Sequence, residues 1–421
     1  SGMRTILQKR ELRYVFTANM ISMLGSGMNS AAVTWFILQA THSEMALGTL
    51  VVLQTLPAMV MLPFTGVIID REDRRHLVMA LDAIRALMVA GIATLAFMHR
   101  VHVWELYLMN MLVSAGFWMF WPTITALIQE LTPDSQFVHA NTFLLAGVQG
   151  GWLMAGALVG FAYNHIGLGG VLLIDFATYV VSFSCYFALR KGKRTVAPRE
   201  ELPVQAAAGE GSWDRYWREL GEGIGYLRGN RYVVLLGASW AMFIGAMSTQ
   251  GVVTAPLSDR LLHAGAVGYG WLNAGWGVGA FLSVLYAPQV IRRLEGRRTV
   301  AVSMALLAGS IFLAPYSRLL ALAVALYALM GSARGVGGIA ISSSMMEHVP
   351  QHFMGRVQNT FYFAGTVLQV CLSLIVGAAA HHIGLALGFA LIACVYFVAF
   401  LTAAWPLETV PRLAPGEAAG D

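Results

Sequence analysis

Charge is scarce in this chain. Asp, Glu, Lys and Arg make up 12% of its 421 residues, while 57% are hydrophobic. A soluble domain carries roughly 25% charged residues, and half that supply cannot clothe a water-facing surface. Cysteine is scarcer still. Cys185, Cys371 and Cys394 share no C-x-x-C spacing and lie inside apolar runs, where a thiol is a small packing residue rather than a metal ligand. Catalytic signatures are missing as well: there is no H-E-x-x-H and no G-x-S-x-G, and His99, His102, His381 and His382 fall at the ends of apolar runs. No G-x-x-x-x-G-K-[ST] phosphate loop is present, which excludes a self-contained ATP-driven pump. The expectation is a non-enzyme with no cofactor and no metal. The alternating ten-residue segments of a membrane barrel are also lacking. Ala266-Val-Gly-Tyr-Gly270 looks like a potassium filter, but it occurs once and opens an ordinary apolar run, whereas a filter needs four re-entrant copies. No cleavable signal precedes the first run, and Ser1-Gly2 before Met3 reads as a tag-cleavage remnant.

What is present is a series of long apolar runs, with a mean hydropathy of +0.64 over the chain. A bilayer core of ~30 Å needs ~20 apolar residues per helix. Twelve runs meet that length, at 12–40, 44–69, 76–98, 104–130, 137–165, 169–190, 231–258, 266–291, 297–315, 318–346, 353–383 and 385–406. The fold class expected is an all-α membrane protein of twelve transmembrane helices. Forty-four glycines suit such a chain, because they let helices approach closely in lipid. The net charge of +5 does not point to nucleic acid, because the basic residues sit in short loops between the runs. If the N-terminus is cytoplasmic, 22 of the 27 Lys and Arg fall in cytoplasmic segments. Only Arg100, Arg260 and Arg318 fall outside, with Arg85 and Arg334 inside runs. That positive-inside bias places both termini in the cytoplasm, requires an even number of spans, and suits the inner membrane of a bacterium.

The chain divides into two halves. Residues 12–190 form one set of six runs and 231–406 the other, with a polar linker at 191–230 and a tail at 407–421 expected to be disordered. In the linker, Trp213, Tyr216, Trp217, Leu220, Ile224 and Leu227 recur at helical spacing after Ser212, a suitable N-cap. That pattern predicts an amphipathic helix, lying on the membrane surface or packed on the protein itself. The halves also resemble each other. Glu130-x-x-Pro133 followed by Asn141-Thr142-Phe143 recurs as Glu347-x-x-Pro350 followed by Asn359-Thr360-Phe361, 217 and 218 residues later. Two pseudo-symmetric six-helix bundles about an axis along the membrane normal follow, an arrangement found in parallel-repeat secondary transporters.

The loop after the second run reads Gly66-Val-Ile-Ile-Asp70-Arg71-Glu-Asp-Arg74-Arg75. It resembles the G-x-x-x-D-R-x-x-R-R signature of the major facilitator superfamily, at the position where that family carries it. A degenerate copy, Arg292-Arg293-x-x-Gly296-Arg297-Arg298, stands in the second half. Asp82-x-x-Arg85, Trp121-Pro122-Thr123, Glu130-Leu131-x-Pro133 and Ala140-Asn141 are similar to the drug–proton antiporter branch, which includes macrolide exporters and the enterobactin exporter. The resemblance implies a secondary transporter working by alternating access, with spans one, four, seven and ten lining a central cavity. On physical grounds Asp70, among Arg71, Arg74 and Arg75, can accept charge-assisted hydrogen bonds or cap a helix N-terminus. Gly66, Asp70, Arg71, Arg74 and Arg75 therefore form a candidate cytoplasmic gate.

Ionisable groups at membrane depth cost roughly 2.5–3.5 kcal/mol each on insertion scales, so each needs a reason. Arg334, near the middle of its run and followed by Gly335, Gly337 and Gly338, is a candidate ligand for an anionic group or a counter-ion for a titrating acid. Asp82 and Arg85 share a helix face and can neutralise one another or, with Asp175 and Glu130, serve proton coupling or a charge relay. Asp175 has no close partner in sequence, and a buried carboxyl of that kind can exchange protons. Glu130, with Glu347 as its repeat mate, sits at a helix end as a cap or relay. Candidate cavity residues beside Arg334 are Asn29, Gln149, Asn273 and Gln369 for hydrogen bonding, and Phe117, Trp118 and Trp121 for aromatic contact. The first run carries Gly25-Ser26-Gly27 where many drug exporters of the family have an acid, and span four lacks the Arg of the R-x-x-Q-G motif. Both departures favour neutral, anionic or zwitterionic amphiphiles over cations. The functional expectation is proton-coupled efflux of a drug-like or siderophore-like amphiphile by a monomer amid membrane lipid, with a lysophospholipid flippase as the alternative.

Overall fold

A computed structural model of the chain describes residues 8–71, 73–132, 134–189 and 211–406. The side chains of 65–71, 122, 125–126, 129–130, 134–139, 141–143, 145–150, 153 and 351–352 are excepted. Linker residues 191–210 and the tail at 407–421 lie outside the described residues.

The apolar runs are helices. In the first half these are α1 (Arg10–Thr41), α2 (Glu44–Arg71), α3 (Arg74–Phe97), α4 (Val103–Leu131) and α5 (Asp134–Ala188). The 55 residues of α5 would reach about 80 Å as one rod, more than twice the bilayer core. They do not form one rod, because Gly167 sits at φ 65°, ψ −173° and breaks the helix. A residue without Cβ adopts that backbone at little cost. Eleven helical stretches among the described residues are long and apolar enough to cross a membrane, one of them spanning this break; the break makes twelve crossings.

After α6 (Ser212–Leu227), the second half consists of α7 (Arg231–Thr249), α8 (Gly251–Pro256), α9 (Gly265–Leu294), α10 (Gly296–Leu313), α11 (Leu320–His348), α12 (Gln351–His382) and α13 (Leu385–Ala404). The seventh crossing is α7 continued by α8 and a π turn, Leu257–Leu261. The outward faces are apolar, as lipid requires: Leu87, Phe187 and Leu285 are about two-thirds or more exposed. A surface of that kind on a soluble monomer would be an aggregation site.

The helices cluster into two compact units, one holding residues 1–40 and 56–215 and the other 41–55 and 216–421. In the first unit α3 packs on both α4 and α5, around a core of Leu12, Phe16, Val78, Phe120, Ile124 and Tyr186. In the second unit α9 lies along α11, α10 on α11 and α13, and α7 on α12 and α13. Segment Thr41–Thr55, the end of α1 with the first part of α2, belongs to the second unit. There, fully buried Glu44 pairs with Arg260, and His381 Nδ1 lies 3.5 Å from the same carboxylate.

The repeat is deeper than the sequence motifs suggest. His165-Ile166-Gly167-Leu168 recurs as His382-Ile383-Gly384-Leu385, 217 residues on, at the turn between the last two spans of each half. The same offset relates Tyr179 to Tyr396, both fully buried. Two helix-end brackets also match. Arg75 Nε and Nη2 donate to the carbonyls of Tyr186 and Phe187 at 2.8 and 2.7 Å, and Arg297 Nε donates to the Ala403 carbonyl at 2.8 Å. Each occupies orphan C-terminal carbonyls of the last helix in its half. Asp73 and Glu295 stand at matching N-caps of α3 and α10, with the Asp73 carboxylate accepting from the backbone of Arg75 and His76.

The amphipathic helix α6 packs on the protein through its apolar face. Leu220, Gly223 and Leu227 are buried, and Gly223 lies so close to α12 that a Cβ would meet Thr360 Oγ1 at 2.4 Å. Arg356 of α12 pairs with Glu222 at 3.0 Å. Trp213, Trp217 and Ile224 on the same apolar face are partly exposed, with Trp213 stacked on Phe64 of α2 at 6.2 Å and Trp217 edge-on to Phe363 of α12 at 5.7 Å.

Candidate functional site

Two clusters of polar groups lie at membrane depth, one within each unit. The first is assembled by three helices. On the second part of α5, Asp175, Thr178, Tyr179 and Ser182 follow at intervals of three, one and three residues and share one face. On α1, Ser26 and Asn29 stand three apart, and on α3 so do Asp82 and Arg85. Asp175 is fully buried. Its Oδ2 accepts from Asn29 Nδ2 at 2.7 Å, and its Oδ1 accepts from Thr178 Oγ1 at 3.2 Å. Gly25 makes that approach possible, because a Cβ there would lie 2.0 Å from Thr178 Oγ1 and 2.7 Å from Asp175 Oδ1. One turn along, Ser26 Oγ and Tyr179 Oη are 2.9 Å apart.

The neighbouring ion pair is closed on the acid side, while Arg85 Nη1 is buried without a partner. Arg85 Nη2 donates to Asp82 Oδ1 at 2.8 Å, and Ser182 Oγ donates to Asp82 Oδ2 at 2.6 Å. The guanidinium lies over the rings of Phe120 and Tyr179, at 4.7 and 4.8 Å from their centroids. Cation–π contacts contribute about 0.5–1 kcal/mol each, more when desolvated. Arg85 is 1% exposed and Asp82 fully buried, so the pair is dry. Asp175 differs: its hydrogen-bond partners are neutral.

The second cluster holds Arg334. Its guanidinium lies 5.7 Å from the Trp276 ring centroid, and among the described residues no carboxylate forms an ion pair with it. One cation–π contact, worth about 0.5–2 kcal/mol, falls short of the roughly 2.5–3.5 kcal/mol that a mid-span arginine costs. Around it, the Trp276 ring is 6.3 Å from that of Tyr327, and Thr254 Oγ1 is 2.9 Å from Tyr327 Oη. Gln250 donates weakly to Met330 Sδ at 3.2 Å. The Gln250 Oε1 and Asn273 Nδ2 atoms are buried without a partner. Glycines bring α9 against α11: a Cβ on Gly279 would lie 2.0 Å from the Ala328 carbonyl oxygen, and one on Gly331 2.0 Å from that of Trp276.

The residues singled out from sequence thus separate. Asn29, expected among the cavity groups, is occupied with Asp175. Gln369 Nε2 donates to Thr55 Oγ1 at 2.7 Å. Phe117 and Trp121 pack against the first core, and Trp118 meets Phe117 edge-on at 5.8 Å. Arg334 and Asn273 share the second unit, and Asp82, Arg85 and Asp175 the first. Of the gate motif, Arg75 holds the end of α5, and Arg74 is half-buried at the start of α3. The side chains of Gly66, Asp70, Arg71, Glu130 and Gln149 lie outside the described residues. Sequence reasoning missed Thr178, Tyr179, Ser182, Ser26 and Trp276. The three-and-four spacing about Asp175 was the signal available for the α5 trio.

Comparison with known proteins agrees with this architecture. The chain is 22% identical over 367 residues to YkuC of Bacillus subtilis strain 168, an uncharacterized transporter of major-facilitator type, covering 84% of this chain and 82% of that one. It is 21% identical to the multidrug efflux pump Tap of Mycolicibacterium fortuitum, over 90% of this chain and 92% of the pump. It is 23% identical to macrolide efflux protein A of Streptococcus pyogenes, over 55% of each. Among solved structures, the nucleoside transporter NupG superposes with a TM-score of 0.73 at 13% identity, over 94% of this chain and 99% of that one. A bacterial homologue of the human lysosomal transporter Spinster gives 0.65 at 16% identity, over 97% and 100%. These likenesses are of fold. The family model described as Major Facilitator Superfamily matches residues 15–368, and the chain belongs to that family of transporters.

Proposed function

We propose that the protein exports an amphiphilic small molecule by alternating access, as a monomer in a bacterial inner membrane with both chain ends in the cytoplasm, and that protons entering through Asp175 drive it. Likeness to a multidrug efflux pump and to a macrolide efflux protein supports export, and the 22-to-3 placement of basic residues supports the orientation.

The observation that carries the proton role is the pairing of Asp175 with an amide. Asn29 Nδ2 donates to the ionised carboxylate, while Asn29 Oδ1 is buried without a partner. Turning the amide over presents that oxygen to a protonated Asp175, so one neighbour serves both charge states. The titratable groups around Asp175 are Arg85 and Asp82 of α3 and Tyr179 of its own helix, and Arg85 is already engaged by Asp82. Along α1, Asn19, Ser22, Ser26 and Asn29 fall on one face. The Asn19 amide and Ser22 hydroxyl are buried and unpaired, which continues the polar face beyond Tyr179.

The test is uptake of a panel of macrolides and aromatic amphiphiles into inverted vesicles, with and without a pH gradient. Asp175→Asn is expected to lose gradient-driven accumulation while retaining downhill equilibration. Accumulation that persists in this variant removes Asp175 from the coupling.

A further inference from the structure

We infer that Arg334 and Trp276 form a binding site for the anionic head of an amphiphile carrying a flat aromatic or apolar body. The inference deepens the proposed function and rests on the chain being a carrier of amphiphiles.

It starts from a contrast between two arginines. Both lie within membrane-spanning helices and both stack on aromatic rings. Arg85 has an acid at 2.8 Å, itself held by Ser182. Arg334 has a ring and no ion-pair acid among the described residues. A guanidinium presents a planar fork that fits a carboxylate, sulfonate or phosphate through two parallel hydrogen bonds, so the missing counter-charge has a defined shape.

Direction supports a ligand over lipid contact. With about 100° per residue, Arg334 points roughly 120–180° away from Leu322, Ala325 and Leu329, the exposed face of α11. Trp276 points roughly 140–180° away from Phe281 and Leu285, the exposed face of α9. Both side chains turn inward and both stay partly accessible. The indole supplies a flat wall beside the charge. The unpaired Asn273 Nδ2, one turn before Trp276 on α9, is a neutral donor suited to a second anionic oxygen, and Gln250 Oε1 is an acceptor for a hydroxyl. The fully buried carboxylate of this unit, Glu44, is already paired with Arg260, and no acid pairs with Arg334 among the described residues. The site therefore selects against cations and for anions.

The test uses two probes with one body, pyrenebutyrate and pyrenebutanol, binding to purified full-length protein in nanodiscs without any gradient. Wild type is expected to bind the acid at least tenfold more tightly than the alcohol. Arg334→Ala should bring the two to parity, and Arg334→Lys should keep a reduced preference, because an ammonium holds charge but not the fork. Trp276→Leu should weaken both probes several-fold while sparing their ratio. Equal binding by wild type, or a preference surviving in Arg334→Ala, overturns the proposal. So does a preference that vanishes when chloride replaces gluconate, which would assign the site to an inorganic anion. Trp276→Leu without effect on either probe overturns the aromatic wall. Arg334→Gln, checked for an unchanged thermal transition, replaces the alanine variant if that one fails to fold. The assay needs no transport, so acid-selective binding in a protein that exports nothing would sink the export reading and leave this one standing.

Discussion

At the scale of single residues, the chain uses buried charge in two ways. Asp82 and Arg85 pair with each other, whereas Arg334 has a ring and no ion-pair acid among the described residues; removing one partner from a buried pair costs about 3–5 kcal/mol because the other is left unpaired. The second half shows what the same positions hold without charge. The repeat registers that align the helix-end brackets and the tyrosines place Met304 opposite Asp82, Leu307 opposite Arg85 and Ala399 opposite Ser182, all fully buried. Asp82→Asn or Arg85→Ala should therefore lower the thermal midpoint sharply. The graft Asp82→Met, Arg85→Leu, Ser182→Ala should recover most of the loss, measured by tryptophan fluorescence in detergent. If the graft is no more stable than the single variants, the pair has a role beyond mutual neutralisation. The identity of these charged residues could be read from the chain, since any ionisable group in a long apolar run stands out. Their partners could not. Asn29 and Asp175 are 146 positions apart, and nothing in either run says which faces of α1 and α5 meet.

At the scale of elements, glycine decides how close helices lie. The contacts of Gly279 and Gly331 are with backbone carbonyls, which cannot swing aside. Gly331→Ala should force α9 from α11 at a cost of about 1–3 kcal/mol, lower the melting temperature and loosen the Trp276–Arg334 stack. An unchanged melting temperature would show that the interface yields freely. Helix existence was legible throughout, because twenty-residue apolar blocks separated by basic loops leave few alternatives. The break inside α5 was legible as well, with a gap expected after residue 165 and Gly167 occupying it. The seating of α6 was not. Its apolar face fits a membrane surface or a protein groove equally well on pattern alone. The structure seats that face on the protein, with Leu220, Gly223 and Leu227 buried and the half-exposed tryptophans against Phe64 and Phe363. The deciding residue is Gly223, whose missing side chain admits Thr360 and the Arg356 carbonyl, a fit invisible without the facing helix.

At the scale of the whole molecule, the topology makes a direct prediction. In a cysteine-free background, Gln8→Cys and Gly229→Cys should react with an impermeant thiol reagent from the cytoplasmic side, and His99→Cys and Gly384→Cys from the opposite side. Gly229 reacting from the same side as His99 would overturn the twelve-span arrangement. The two-fold repeat was legible from Glu130-x-x-Pro133 and Asn141-Thr142-Phe143 and their counterparts. Its extent was not, because most of what the halves share is position rather than residue type. Helix α2 escaped a reading by halves altogether. Thr41–Thr55 groups with the second unit, fastened through Glu44 and through Gly48, where a Cβ would meet the Ser373 carbonyl at 2.5 Å. Pro57 follows two residues after that segment ends. A proline inside a helix removes one backbone hydrogen bond, so α2 is one bond weaker just past the end of that segment.

Arg75 and Arg297 do one task twice, 222 residues apart. Each bracket runs from the start of one helix to the end of the last helix in the same half. Each lies wholly within one unit, so a motion that separates the units would leave each of these helix ends held.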